Sequence, residues 1–241
     1  MNYWMMWQIA NIADLWPWRP RWSRTLPFSY IDKRILDFGI ANSTYIMAQA
    51  QYQDALLAKR YGRKADLIVK NFHPEESEHI EKDQPPLVVW IANLKPKKRP
   101  DVFIKLAQEF LKEPLVRFVM VGHEGNPRFQ KTIERQLQRT PNLDYVGELQ
   151  IDEVNALLRR ASVFVNTSEY EGFPNTFIQA WLRRVPVVSL DVDPDDVLKS
   201  HGLGYHSCSF EKMVTDVRKL LATPGLRSKI GKHAERYANA E

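Results

Sequence analysis

The chain has 241 residues, of which 44% are hydrophobic and 26% charged, and this ordinary globular composition excludes a wholly disordered or fibrous protein. The single cysteine, Cys208, excludes an intrachain disulfide framework and a cysteine-based zinc cluster, and it favours a reducing, cytoplasmic compartment. The net charge of +5 suits anionic ligands or an anionic membrane surface, but acids are mixed with the bases throughout, so a nucleic-acid partner is not expected.

The N-terminal segment is unusually rich in tryptophan. Two interpretations stay open: an interfacial segment that binds an anionic membrane surface or another copy of the chain, or the remnant of a truncated domain. Arginines at positions 19, 21 and 24 would favour the membrane. The tryptophans concerned are Trp4, Trp7, Trp16, Trp18 and Trp22.

The sequence of residues 40–86 predicts a few secondary-structure elements followed by a linker. We expect a short strand end at residues 40–41, a helix over 44–61 that ends at Gly62, and a strand over 65–70. Prolines and acidic residues between positions 73 and 86 are typical of a linker. The sequence therefore predicts two domains, residues 1–84 and 85–241.

From Leu87 onward, short apolar runs alternate with amphipathic segments. The runs predict strands over 87–93, 116–122, 143–146, 161–167 and 185–190. The segments between and after them predict helices over 100–112, about 127–139, 152–160, 175–184, 209–222 and 225–239. This alternation predicts an α/β fold with a Rossmann-like parallel sheet and helices on both faces. Ligands of such sheets bind beyond the carboxyl ends of the strands, which here are the turns 93–100, 122–127 and 167–176.

The turn 167–180, with the sequence TSEYEGFPNTFIQA, combines features of a phosphate and sugar site. Gly172 would let the backbone approach a ligand, and a helix capped by Asn175 or Thr176 would offer free N–H groups to an anion. Glu171 supplies a carboxylate before the helix, and Gln179 an amide about one turn inside it. A plain capped helix with a surface glutamate explains the same spacing.

The turn 91–101 places Lys95, Lys97, Lys98 and Arg99 just before a helix that starts at Pro100. Cations at a helix N-terminus oppose its dipole, and a bound anion would offset that conflict. A solvated run of charge is the alternative. Neither a GxGxxG fingerprint nor a Walker P-loop is present, which argues against an NAD-dependent dehydrogenase and a P-loop ATPase.

These two turns resemble those of a known family. The segment EGFPNTFIQA, from Glu171, resembles the E-x7-E segment of family-4 glycosyltransferases, and IANLKPKKRPDVFIKLA resembles their G-R-x4-K segment and following helix. The resemblance covers residues 87–235 and implies the GT-B architecture. Residues 1–84 would then be a remnant of the acceptor-side N-terminal domain plus linker, and 85–241 the donor domain.

The resemblance also implies residue roles. Glu171 and Lys98 are the catalytic candidates, near the donor sugar and its diphosphate. Gln179 stands where the family has a glutamate that binds the ribose, and Asn93 where it usually has an arginine. These departures put donor choice and rate in question, and Lys95 or Lys97 are the cations that could replace the arginine. The implied substrate-binding set is Asn93, Val146, Gly147, Gly172, Phe173, Pro174, Asn175, Thr176 and Gln179, with Val146 and Gly147 near the base.

The implied activity is transfer of a sugar, with retention, from a UDP- or GDP-sugar to an unknown glycan or lipid-linked acceptor. No metal or other cofactor is expected, because lysine and helix N-termini would balance the negative charge of the diphosphate. A cytoplasmic location follows, with peripheral attachment at the inner membrane face and self-association as open alternatives. Fewer than 85 residues are left for the acceptor domain, so we expect a fragment. A non-catalytic nucleotide-sugar-binding or interaction module is the other hypothesis.

Overall fold

The computed structural model describes residues 6–8, 34, 37–71, 73–74, 78–113, 115–123 and 127–240; for 6–8 and 127–130 it describes the backbone only. The expectations for the side chains of Trp4, Trp7, Trp16, Trp18 and Trp22 thus fall outside the described residues. Backbone contacts divide the chain into two compact units. The first comprises residues 1–71 and 170–174, and the second residues 72–169 and 175–241.

The first unit contains a parallel sheet of three strands in the order β1-β2-β3. These are β1 (Met6–Gln8), β2 (Tyr45–Ala48) and β3 (Leu67–Ile68), and helix α1 (Gln51–Tyr61) follows β2. Ile40, Ile46 and Leu57 form its small buried core. Gly62 ends α1 with a left-handed φ of 64°, as expected from the sequence.

Two predictions in the first unit are wrong. Residues 37–42 are helical, so no strand ends at Ile40. The helix predicted from residue 44 starts only at Gln51, because residues 45–48 pair with β1 and β3 instead. The side-chain oxygen of Gln53 accepts from the backbone N–H of Gln49 at 2.7 Å and of Ala50 at 3.2 Å, which satisfies donors at the true helix start.

The second unit contains a parallel sheet of six strands in the order β6-β5-β4-β7-β8-β9. Sequential numbering within this unit gives the Rossmann order 3-2-1-4-5-6. The five strands predicted from Leu87 onward are confirmed. The strands are β4 (Leu87–Ile91), β5 (Arg117–Val121), β6 (Leu143–Tyr145), β7 (Val163–Asn166), β8 (Val187–Ser189) and β9 (Gly204–His206).

Helices flank this sheet, as predicted. Leu87, Val88, Val89 and Trp90 of β4 are all buried, so the strand is covered on both faces. The sequence did not predict α6 or β9. The helices are α2 (Pro100–Gln108), α3 (Pro127–Leu137), α4 (Ile151–Arg160), α5 (Asn175–Leu182), α6 (Val197–Ser200), α7 (Phe210–Ala222) and α8 (Pro224–Ala240).

Part of the predicted linker belongs to the second unit and is hydrogen-bonded within it. The carboxylate of Asp83 receives two hydrogen bonds of 2.9 Å from the guanidinium of Arg160, at the end of α4. Strand order reverses between β4 and β7, which makes the turns after these two strands the topological switch point. In the part of the chain that is described, no helix combines the length and apolarity needed to cross a membrane.

Candidate functional site

The two turns at the switch point are hydrogen-bonded to each other. The buried hydroxyl of Thr167, directly after β7, donates toward the carbonyl oxygens of Lys98 at 2.7 Å and Arg99 at 3.0 Å. The same oxygen accepts from Nε1 of the buried Trp90 at 2.8 Å. The N–H of Glu169 donates to the carbonyl of Lys97 at 2.9 Å. The basic turn after β4 is therefore held in place by the chain that leaves β7.

One of the four bases in this turn has a structural role. Arg99 adopts a left-handed φ of 50° just before α2, and its Nε donates to the carbonyl of Thr167 at 2.6 Å. Its Nη2 contacts the carboxylate of Asp191 and the carbonyl of Ser168. Arg99 thus ties the turns together. The other three bases of this turn, Lys95, Lys97 and Lys98, are the cations that the sequence predicts for an anion site.

The lysines differ in exposure. Lys95 is exposed, whereas Lys97 and Lys98 are half-buried in a short 3-10 turn, Pro96–Lys98. The N–H of Lys98 donates to the carbonyl of Lys95 at 2.8 Å. Asn93, just before them, is exposed. This backbone geometry fixes the position of Lys98 at the carboxyl end of β4, as the sequence predicted.

Helix α5 begins at Asn175, where the sequence predicted it. Asn175 is exposed and Thr176 half-buried, so the first turn reaches the surface. Gln179 is only 5% exposed, and residues 177–182 are buried throughout. A polar side chain this deep in α5 needs a hydrogen-bonding partner, which distinguishes Gln179 from an ordinary surface residue.

The ends of β5 and β6 pack closely beside the turn after β4. A Cβ on Gly122 would lie 1.8 Å from the carbonyl oxygen of Ala92, so this position requires glycine. The N–H of Gly122 donates to the carbonyl of Gly147 at 2.8 Å. Gly147 has a left-handed φ of 75° and follows Val146, which is 46% exposed. Val146 and Gly147 therefore lie at the same sheet edge as Asn93.

A histidine and a glutamate mark the rim of this edge. Nδ1 of His123 lies 3.3 Å from Oε2 of Glu148, and both side chains are largely exposed. Val146 also lines a cavity of about 600 Å³ that is bounded by α4 and by residues of β4, β5 and β6. That cavity reaches Asp83 and Arg117 at the amino ends of the strands, so we do not assign the candidate site to it.

The segment from Tyr170 to Pro174 belongs to the first unit by its contacts. The hydroxyl of Tyr52 in α1 lies 2.7 Å from the carbonyl oxygen of Glu171 and 3.2 Å from that of Gly172. Nδ2 of Asn71 donates to the carbonyl of Phe173 at 2.8 Å. Sequence reasoning missed both anchors, because neither belongs to a recognisable motif. Glu171 is half-buried, and residues 172–174 are buried.

The predicted residues consequently divide between the units. Glu171, Gly172, Phe173 and Pro174 are in the first. Those in the second are Asn93, Lys98, Val146, Gly147, Asn175, Thr176 and Gln179. Among the residues with described coordinates, no group of three or more His, Cys, Asp or Glu side chains could hold a metal ion.

Residues 72–237, more than half of the chain, match the family described as glycosyl transferases group 1. The chain belongs to this family. The match spans the switch-point turns, α5 and the turn after β6. The basic turn and the N-terminus of α5 are therefore parts of a group 1 glycosyl transferase domain.

Two curated relatives are similar over part of their length. The chain is 27% identical over 159 residues to Glycosyltransferase 1 domain-containing protein 1 of Xenopus tropicalis, which covers 64% of this chain and 45% of that protein. It is 38% identical over 95 residues to the Vi polysaccharide biosynthesis protein VipC/TviE of Salmonella typhi. This match covers 38% of this chain and 16% of that protein. The chain thus matches less than half the length of either relative.

Solved glycosyltransferase structures share the fold. A mutant of TarM from S. aureus, in complex with fondaparinux, α-GlcNAc-glycerol and UDP, has a TM-score of 0.76 at 19% identity, covering 96% of this chain and 46% of TarM. WaaG, a glycosyltransferase involved in lipopolysaccharide biosynthesis, has a TM-score of 0.79 at 18% identity, covering 98% of this chain and 70% of WaaG. Anabaena HepE in complex with UDP-glucose has a TM-score of 0.73 at 16% identity, covering 89% and 64%. The fold is that of GT-B glycosyltransferases.

Proposed function

We propose that this chain is part of a retaining glycosyltransferase that uses a nucleoside-diphosphate sugar as donor, and that it belongs to family 4. The observation that supports this proposal most directly is the position of the basic turn after β4. Thr167 fixes this turn against the end of β7, at the switch point. Family membership and the common position of ligands in such sheets support this proposal.

The donor's diphosphate would bind Lys98 and the first N–H groups of α5, from Asn175 and Thr176. A cation and a helix N-terminus stabilise the negative charge that develops on the departing diphosphate. We assign the base to the turn at Val146 and Gly147, since the exposed Val146 offers an apolar surface there. These assignments require no metal ion.

Gln179 would bind the ribose, and Glu171 would contact the donor sugar. An uncharged amide is the weaker acceptor, so Gln179 is expected to bind a hydroxyl less strongly than a carboxylate would. Asn93 lacks the charge of arginine, which leaves Lys95 and Lys97 to supplement Lys98.

A UDP-hexose is the donor we favour over a GDP-sugar, because the TarM and HepE structures contain UDP and UDP-glucose. For the acceptor we propose a glycan or a lipid-linked sugar. WaaG is described as acting in lipopolysaccharide biosynthesis, and the Salmonella relative in Vi polysaccharide biosynthesis.

Calorimetric titration with UDP tests the donor site. Lys98→Ala should weaken UDP binding by about 1.5–3 kcal/mol, the range for a hydrogen bond to a charged group. Lys112→Ala is the control, because Lys112 is exposed and follows the opposite end of α2. Equal UDP affinity in Lys98→Ala and the parent chain would contradict the assignment.

Release of UDP from UDP-glucose then distinguishes an enzyme from a binding module. Turnover that is lost in Lys98→Ala supports the transferase. Donor binding without turnover, with or without added acceptor glycan, would favour the non-catalytic module, to which the uncharged Asn93 and Gln179 also point.

A further inference from the structure

A basic cavity lies at the amino ends of β7 and β8, at the sheet edge opposite the switch point. Ser162 directly precedes β7, and Arg184 lies between α5 and β8. The cavity has a volume of about 200 Å³. Its polar lining comprises Lys82, Ser162, Arg184, Arg227, Ser228 and Lys232.

Lys82 is a largely buried lysine in this lining. Its Nζ donates to the carbonyl of Arg183 at 2.6 Å and lies 3.3 Å from that of Leu158. Burial, reinforced by Arg184, Arg227 and Arg183, lowers the pKa of Lys82 to about 7, whereas Glu235 acts in the opposite direction. A neutral amine has two N–H groups, enough for both carbonyls, and protonation adds a third donor.

The other cations are not neutralised by an equal number of acids. Arg184 pairs with Glu235 at 2.8 Å. Arg227 is only 8% exposed, and its Nη1 donates to the carbonyl oxygens of Leu220 and Leu221. Burial lowers the pKa of Arg227. Lys232 is exposed on α8 at the mouth of the cavity. The carboxylate of Glu235 thus faces several positive charges.

Two further features favour an anion. Ser162 is 1% exposed, and its Oγ has no hydrogen-bond partner within the described part of the chain, which is uncommon for a buried hydroxyl. Helix α8 begins at Pro224, and Pro224 and Ser228 both line the cavity. The N-terminus of a helix of 17 residues carries a partial positive charge, although Pro224 has no N–H and the N–H of Arg227 donates to the carbonyl of Thr223 at 3.1 Å.

We infer that this cavity is a binding site for a phosphate-type oxyanion, either inorganic phosphate or a phosphomonoester. Its volume equals about seven water molecules at roughly 30 Å³ each, which is room for a phosphate group with a small substituent. The four residues of strand β7, at about 3.3 Å per residue, separate this cavity from the switch-point turns by roughly 13 Å. The site is therefore distinct from the proposed donor site and does not depend on it.

Binding of the anion should be coupled to the protonation of Lys82. A negative charge beside the amine favours its charged form and so raises its pKa. The charged groups that face the amine are Arg183, Arg184, Arg227 and Glu235. Binding should consequently take up a proton near neutral pH and weaken as the pH rises above 7.

Calorimetry with sulfate tests the site, because the charge of sulfate is constant between pH 6 and 8.5. In the full chain, Lys232→Ala should raise the Kd about three- to ten-fold. Lys229→Ala is the matched control, since Lys229 is exposed on the same helix but does not line the cavity. Ser162→Ala should also raise the Kd while leaving the fold intact, and Lys82→Met should abolish the pH dependence.

Three results would overturn the inference: no sulfate binding, a Kd that is unchanged in both Lys232→Ala and Ser162→Ala, or binding that is lost in Lys98→Ala. The last result would place the ion at the turn after β4. Parallel titrations with inorganic phosphate and glucose 1-phosphate identify the source of the anion. If inorganic phosphate or glucose 1-phosphate binds more tightly than sulfate, and if this binding weakens in Lys232→Ala, the result supports the site.

Discussion

The hydroxyl oxygen of Thr167 lies 2.7 Å from the carbonyl oxygen of Lys98 and 2.8 Å from Nε1 of Trp90. A single side chain at the end of β7 thus satisfies a buried indole in β4 and fixes the backbone of the basic turn. This contact couples the core of the sheet to the placement of Lys98.

We expect Thr167→Val to destabilise the protein by about 1–3 kcal/mol, because the buried Nε1 of Trp90 loses its acceptor while the side-chain volume is retained. Urea unfolding measures the change. The control is Thr215→Val: Thr215 is exposed on α7 and its hydroxyl donates to the carbonyl of Glu211. We expect a change within roughly 0.5 kcal/mol there. Equal losses in the two variants would contradict a special role for Thr167.

The second unit could be predicted from sequence because its strands are apolar and short. Leu87–Ile91 and Val163–Asn166 are buried runs between helices of clear periodicity. Strand β9 escaped prediction because Gly204, Tyr205 and His206 form no apolar run. Strand β9 can pack beside β8 because Gly204 has no Cβ. A Cβ at this position would lie 1.8 Å from the carbonyl oxygen of Val187.

Residues 45–48 form a strand, although the local sequence of residues 44–48 predicts a helix. TYIMA suits a helix by composition, but Ile46 and Ala48 alternate with more exposed neighbours; Ile46 pairs with β1 and Ala48 with β3. Strand pairing here outweighs intrinsic helix propensity. The anchors Tyr52 and Asn71 could not be found either, because they act through contacts with residues about 100 positions away.

The pKa of Lys82 makes stability depend on pH. Its pKa is 10.5 when unperturbed and about 7 in the folded chain, so between these values the unfolded chain holds a proton that the folded chain lacks. The stability of the wild-type chain should therefore rise with pH from 7 toward 10.5, relative to Lys82→Met, which cannot titrate. The slope should approach roughly 1.4 kcal/mol per pH unit.

Urea unfolding of both proteins at pH 7 and pH 9, in buffers free of phosphate and sulfate, measures this difference. Lys229→Met controls for the loss of a lysine on the surface and should show a pH response close to that of the wild type. A constant difference between wild type and Lys82→Met at the two pH values would show that Lys82 keeps the same charge in the folded and unfolded chains.

The core of the second unit is built within residues 88–220. Its buried members come from β4, α2, β5, β7, β8 and α7, among other elements, and include Trp90, Phe103, Phe118 and Leu220. Partly buried residues up to Ile230 pack against them. Within residues 1–38, the side chains that the structure describes, at positions 34, 37 and 38, are not members of this core cluster, and β1 pairs with β2 in the other sheet.

We therefore predict that deleting residues 1–38 leaves the 87–235 domain folded. Far-UV circular dichroism should retain the α/β spectrum, and urea should still produce a cooperative transition, because the six-stranded sheet and its core are intact. The tryptophan-rich segment would be removed, so we also expect the full chain, but not the truncated one, to self-associate or to sediment with anionic vesicles. An unfolded product would mean that the N-terminal segment is integral to the donor domain, and a boundary near Pro85 would then be wrong.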